Sequence, residues 1–175
     1  MDNFDENQLT NYHRNILKVS NDPYGHCETK DFFPDNIIKN ISSSFKFPET
    51  VGLTTDPLFQ KTKRSLNDYN LFPIEIQKAV NYLNSRSFIN ILEEKFKINN
   101  LVADPSLFGG GMHSSGNGGY LKIHSDFIYI RKKKLKRMLN LLVYLNEEWE
   151  ENWGGAIELW DQKMRRNFLK LYPKI

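Results

Sequence analysis

Cysteine is nearly missing from this chain of 175 residues, where Cys27 stands alone. One thiol excludes an intrachain disulfide and the small disulfide-stapled folds of secreted domains, so a reducing compartment is the simpler setting. No second cysteine and no close basic partner activates Cys27, which reads as an ordinary thiol. Long hydrophobic runs are lacking too. None approaches the about 20 apolar residues that a membrane helix needs. The opening segment, Met1 to Gln8, carries Asp2, Asp5 and Glu6 and no positive charge, the wrong sign for a secretory or transit peptide. These features predict a soluble, cytoplasmic protein with no membrane partner. A strong excess of one charge is also missing. The formal net charge of +3 is too small to argue for nucleic acid. Histidine is scarce: His13, His26, His113 and His124 are the four, and none follows Asp126.

What is present fits a globular domain. The hydrophobic fraction is 39% and the aromatic fraction 13%, enough for a real core and too much for a disordered chain. Residues 1–22 are polar and Asn-rich and read as a poorly ordered lead-in. Three helices are predicted next. Pro34 and Asp35 open the first, with Ile37, Ile38, Ile41 and Phe45 on one side. A loop follows from Pro48 to about Asn70. The second helix starts at Pro73 and groups Ile76, Ala79, Val80 and Leu83. The third starts near Ser87 with Ile91, Leu92 and Phe96 inward. From Leu101 onward, Gly109-Gly110-Gly111 and Asn117-Gly118-Gly119 signal turns. Runs at Tyr120 to His124, Met138 to Leu145, Ala156 to Trp160 and Phe168 to Tyr172 read as strands. Helices followed by strands predict an α+β fold, with the helices packed outside one sheet system.

The sharpest local feature is His124-Ser125-Asp126. In a strand, residues i and i+2 point to one face, so a neutral imidazole and a carboxylate converge there. They are two of the three ligands of a facial triad that holds iron(II) with positions left open. Alone, His-x-Asp is a weak signal that also fits a satisfied surface pair.

The context is more specific. Gly109 to His113, Gly118 to Phe127, Arg137 to Asn146 with Trp149, and Gly154 to Asp161 follow one another in order. Lys63 to Asp68, Leu83-Asn84-Ser85 and Asp104-Pro105 precede them. Together these blocks resemble the iron(II)- and 2-oxoglutarate-dependent oxygenases of the prolyl 4-hydroxylase type, in their bacterial and phage form, over roughly residues 23–175. The resemblance implies a single partial domain over 23–175. Its fold would be a double-stranded β-helix, or jelly roll, buttressed by the N-terminal helices. The implied metal ligands are His124 and Asp126. Tyr144 matches a tyrosine that hydrogen-bonds the distal carboxylate of 2-oxoglutarate, and His113 falls near a position lining the cosubstrate pocket. The implied cofactors are Fe(II), 2-oxoglutarate as cosubstrate and ascorbate as a candidate reductant. Dioxygen is the second small-molecule partner. The implied activity is hydroxylation of a C–H bond, with a prolyl residue among the candidate substrates.

The pattern also breaks. The family's second histidine ligand and the basic residue after it have no counterpart beyond Asp126. Only four or five strands are predicted after Leu101, where a closed jelly roll has eight. The resemblance therefore implies a C-terminally truncated jelly roll, and it leaves an inactive fragment or binding module as the alternative. His13 and His26 are poor recruits for the missing ligand. Arg131 to Arg137 holds six basic residues in seven with no aromatic interleaved, so it reads as a solvated hairpin tip. That pattern argues against nucleic acid as a partner. Trp149, Trp153 and Trp160 read as packing residues.

Overall fold

The computed structural model describes residues 4–56, 60–161, 163 and 167–173, with Thr55 and Phe168 described by backbone alone. Composition predicts a loose lead-in at the start, but a helix stands there instead, α1 (Glu6–Ile16). Asp5 caps it by accepting from the Gln8 backbone N–H at 3.0 Å. Leu9, His13 and Leu17 recur at helical spacing and are all buried. A short hairpin follows, β1 (Val19–Ser20) with β2 (His26–Cys27).

The three helices predicted from sequence are all present. α2 (Asp35–Ser44) buries Ile37, Ile38 and Ile41. α3 (Ile74–Leu83) buries Ile76, Ala79 and Tyr82, with Val80 and Leu83 half-buried beside them. α4 (Arg86–Phe96) is capped by Ser85, whose hydroxyl accepts from the Phe88 N–H at 3.3 Å, and buries Phe88, Ile89 and Ile91. Pro at the α2 and α3 N-caps leaves no side-chain cap there; its fixed φ suits the chain entering a helix. Phe33 and Phe72, on the connections, complete the core between the helices.

The expected loop from Pro48 to Asn70 is in part a sheet. β3 (Thr54–Asp56), β4 (Gln60–Leu66) and β5 (Met112–Leu121) form an antiparallel sheet in that order. Its inner end is fixed by Leu66 opposite Met112, both buried. Gly111 makes the entry to β5 possible. It sits at φ 106°, and a Cβ there would come within 2.2 Å of the Leu66 carbonyl oxygen.

Beyond β5 the strands are short and local. β6 (Tyr129–Ile130) pairs with β7 (Leu135–Lys136), and β8 (Ile157–Trp160) with β9 (Asn167–Leu171). The run Met138 to Leu145, read as a strand, belongs to no ladder. The jelly-roll expectation is therefore corrected. Among the described residues the fold is a mixed α+β arrangement of four helices and small separate sheets, one of three strands and the others of two, none closed into a barrel. The reason is the pairing itself. Among the described residues every ladder apart from β4 with β5 joins neighbours in sequence, and no strand links β6–β7 to β8–β9. A double-stranded β-helix requires such non-local pairs. Among the described residues no helix is long and apolar enough to cross a membrane.

Candidate functional site

β5 ends at Leu121, so His124 and Asp126 lie in an irregular segment rather than on a strand. They nevertheless meet: His124 Nε2 lies 3.4 Å from Asp126 Oδ1. His124 Nδ1 is 2.6 Å from the Lys122 carbonyl oxygen, which can only accept, so this nitrogen carries the proton. The other carboxylate oxygen of Asp126 accepts from Arg137 Nη1 at 2.9 Å and from Asn140 Nδ2 at 3.1 Å.

Arg137 is the hub of this cluster. Its backbone N–H donates to the Ile128 carbonyl at 2.7 Å, which closes the base of the β6–β7 hairpin. Its Nη2 donates to the Phe108 carbonyl at 2.9 Å. Its guanidinium carbon lies 3.9 Å from the centre of the Phe127 ring, a cation–π stack. Phe127 in turn meets Phe108 edge-on at 4.9 Å between ring centres. Gly109, at φ 72°, lets the chain pass beneath, since a Cβ there would strike Phe127 at 2.8 Å. Nearby, Lys133 donates to Asp104 and to Ser106. Partial burial alone pushes the Asp104 carboxyl up. The donors from Lys133, Ser106 and the Phe108 N–H outweigh it and hold the group at about 2.

The remaining predicted residues have other settings. His113, on β5, faces β4, with its Nδ1 3.1 Å from the Ser65 hydroxyl. Desolvation and then the Lys63 ammonium keep its pKa below the ordinary histidine value. Tyr144 is half-buried, which pushes its phenol pKa up. It belongs to the run whose Val143 and Leu145 pack on the helical core. His13 is fully buried among aromatic rings of the core, and His26 bonds the Tyr24 carbonyl at 2.9 Å. The structure thus brings His124 to Asp126 and leaves the other three histidines elsewhere. Sequence reasoning gave Arg137 and Asn140 no role. The signal was their spacing on the return limb of the basic hairpin, which carries both back toward Asp126.

A family model described as the 2OG-Fe(II) oxygenase superfamily matches residues 110–174. Over that part the chain is similar to the 2OG-Fe(II) oxygenase superfamily. The match supports the superfamily and does not single out the prolyl 4-hydroxylase type. No curated protein and no solved structure matches the chain.

The superfamily implies an iron(II) centre with three protein donors and open positions. The residues present do not fit it. Among the described residues no group of three or more His, Cys, Asp or Glu side chains is placed to hold a metal ion. All four histidines are among those described. The carboxylate meant for iron is already neutralised by a guanidinium, and a second cation beside Arg137 is repelled by it. The expectations of Fe(II) binding, of 2-oxoglutarate and ascorbate use, of dioxygen as a partner and of dioxygenase activity are corrected accordingly. His124 and Asp126 are a polar pair in a hydrogen-bonded hub.

Proposed function

We propose that this chain is a non-catalytic binding module built on a 2OG-Fe(II) oxygenase superfamily domain. The observation that carries the reading is the Asp126 carboxylate, shared between Arg137, Asn140 and His124. Such a carboxylate orders the segment from Phe108 to Asn140 instead of waiting for a metal. The order of the Gly-rich, His-x-Asp, Tyr-Leu-Asn and Gly-Gly-Ala blocks between Gly109 and Asp161 supports descent from a prolyl 4-hydroxylase type. That reading concerns ancestry and not present activity. A cytoplasmic setting is supported by the lone Cys27 thiol, which burial holds in its unreactive protonated form.

The test is anaerobic calorimetric titration of the full chain with iron(II), followed by a succinate-release assay with 2-oxoglutarate and air. No stoichiometric heat and no succinate above the blank are expected. One iron bound per chain, with succinate release that disappears in Asp126→Ala, would overturn the proposal.

A further inference from the structure

The run from Met138 to Leu145 combines strand composition with a backbone that joins no ladder. Among the described residues, the backbone from 138 to 144 makes no hydrogen bond to another backbone group. Met138, Leu141 and Leu142 are 46%, 44% and 55% exposed. Unpaired backbone beside exposed apolar side chains is a template for strand addition.

The flanks say what should add. On the N-terminal side stands the basic hairpin tip, Arg131 to Lys136. On the C-terminal side stands an acidic turn, Glu147 to Glu151. An antiparallel pair of identical segments, with its two-fold axis between Leu141 and Leu142, sets each copy's basic tip against the other's acidic turn. In that register Lys136 lies opposite Glu147, with the rest of each basic tip beside the other copy's acidic turn. An unrelated acidic partner would need no such mirror placement of opposite charges. A two-fold pair requires it, because the same patch must complement itself.

We infer that residues 137–146 form the interface of a two-fold homodimer, pairing antiparallel with the same segment of a second copy. The apolar side chains at the centre lose their water, and the flanking charges set the register. This inference is independent of whether the chain turns over any substrate. Salt weakens the dimer, since exposed charge pairs are screened within about 8 Å at physiological ionic strength.

The test is sedimentation velocity of the full chain under reducing conditions, in low and high salt. The 20.6 kDa chain should sediment as a dimer that weakens in high salt. Lys132→Glu with Lys136→Glu, and separately Glu147→Lys with Glu151→Lys, should each give a monomer. An equimolar mixture of the two variants should recover the dimer, because each then complements the other. A monomeric parent chain overturns the inference. So does a dimer that survives both reversals, open-ended assembly in place of a dimer, or a mixture of folded variants that stays monomeric. Should a variant lose its helical circular dichroism, the parent chain decides, and a dimer indifferent to salt overturns the inference.

Discussion

The helical part and the part beyond Met112 hold themselves by different means. Among the described residues, every fully buried hydrophobic side chain lies between Leu9 and Met112. All of them but Ile89 form one cluster from four helices and the inner end of the β3–β4–β5 sheet. Beyond Met112 the large apolar side chains are half-buried or exposed, with Tyr129 63% and Leu142 55% exposed. Order there comes from polar hubs, Arg137 with Asp126 and Lys133 with Asp104, and from two short hairpins. Apolar burial is non-directional and sums over area, whereas a polar hub fixes geometry and contributes little net stability. The second part therefore has a defined shape with apolar surface to spare, the character of a surface that meets a partner.

The largest effect that separates the two parts is in the core. Phe88 is fully buried, so Phe88→Ala should lower stability by about 3–5 kcal/mol. Leu142→Ala, at a site more than half exposed, should change the stability of the monomer by about 0.5 kcal/mol or less. Urea unfolding followed by circular dichroism checks both, with the second measured at a concentration low enough to keep the chain monomeric. Equal losses would mean that the two parts share one core, and the comparison would fail.

How much of this was readable in the residues follows the same division. α2, α3 and α4 were legible because proline or serine starts and isoleucine spacing are local signals. α1 was not, since its apolar stripe is thin and one of its buried positions is a histidine. Asp5 followed by Gln8, a cap and a third-position glutamine, was the signal available. β4 reads Gln-Lys-Thr-Lys-Arg-Ser-Leu, too polar to suggest a strand, and exists because it is paired on both sides. Met138 to Leu145 has strand composition without a ladder, because composition does not supply a partner. At the site His124 does meet Asp126, but in an irregular segment and not on the strand from which their spacing predicts it. That Arg137 takes the carboxylate was not legible, because it depends on where a hairpin returns.

A second effect sits inside the core. His13 is fully buried, with its Nδ1 2.8 Å from the Leu9 carbonyl and 2.9 Å from the Tyr82 hydroxyl. Its Nε2 has no hydrogen-bond partner. The ring is packed by Phe32 at 4.5 Å and Phe88 at 5.2 Å between ring centres. Burial disfavours the imidazolium, so the folded chain takes up this proton at a lower pH than the unfolded chain. The contribution is whole above about pH 6.5 and is lost as pH falls toward the lowered folded value. Denaturant midpoints at pH 7 and pH 5 should therefore fall with acid in the parent chain and fall less in His13→Phe. The same slope in both would remove His13 from the acid response.

Removing the hub tests the other part. Arg137→Ala leaves Asp126 with Asn140 and His124 only, and it unstacks the Phe127 ring. The loss should be local, about 1–2 kcal/mol. Hydrogen exchange should speed up between Phe108 and Asn140 while protection in α3 and α4 stays as it was. Faster exchange throughout the helices would show that the hub supports the core as well.

The smallest effect is expected at Asp104, whose side chain is 23% exposed and tied to Lys133. Its carboxyl is held at about 2, below the ordinary aspartate value of 3.8. A depressed carboxyl contributes stability that is present above the unfolded pKa and is lost as pH falls through the folded one. The window for this pair is thus pH 3.8 down to about 2, well below the window of His13. An ion pair this near the surface contributes about 0.2–1 kcal/mol. Asp104→Asn should accordingly leave the core untouched at pH 7, loosen the link between Asp104 and the basic hairpin, and flatten the acid response only below pH 4. Proteolysis between Arg131 and Arg137 reads that link directly. Cleavage there should rise in the variant at neutral pH, and in the parent chain it should rise only when Asp104 takes its proton. Cleavage that ignores both changes would leave the β6–β7 hairpin held by its own two-residue ladder and by Arg137.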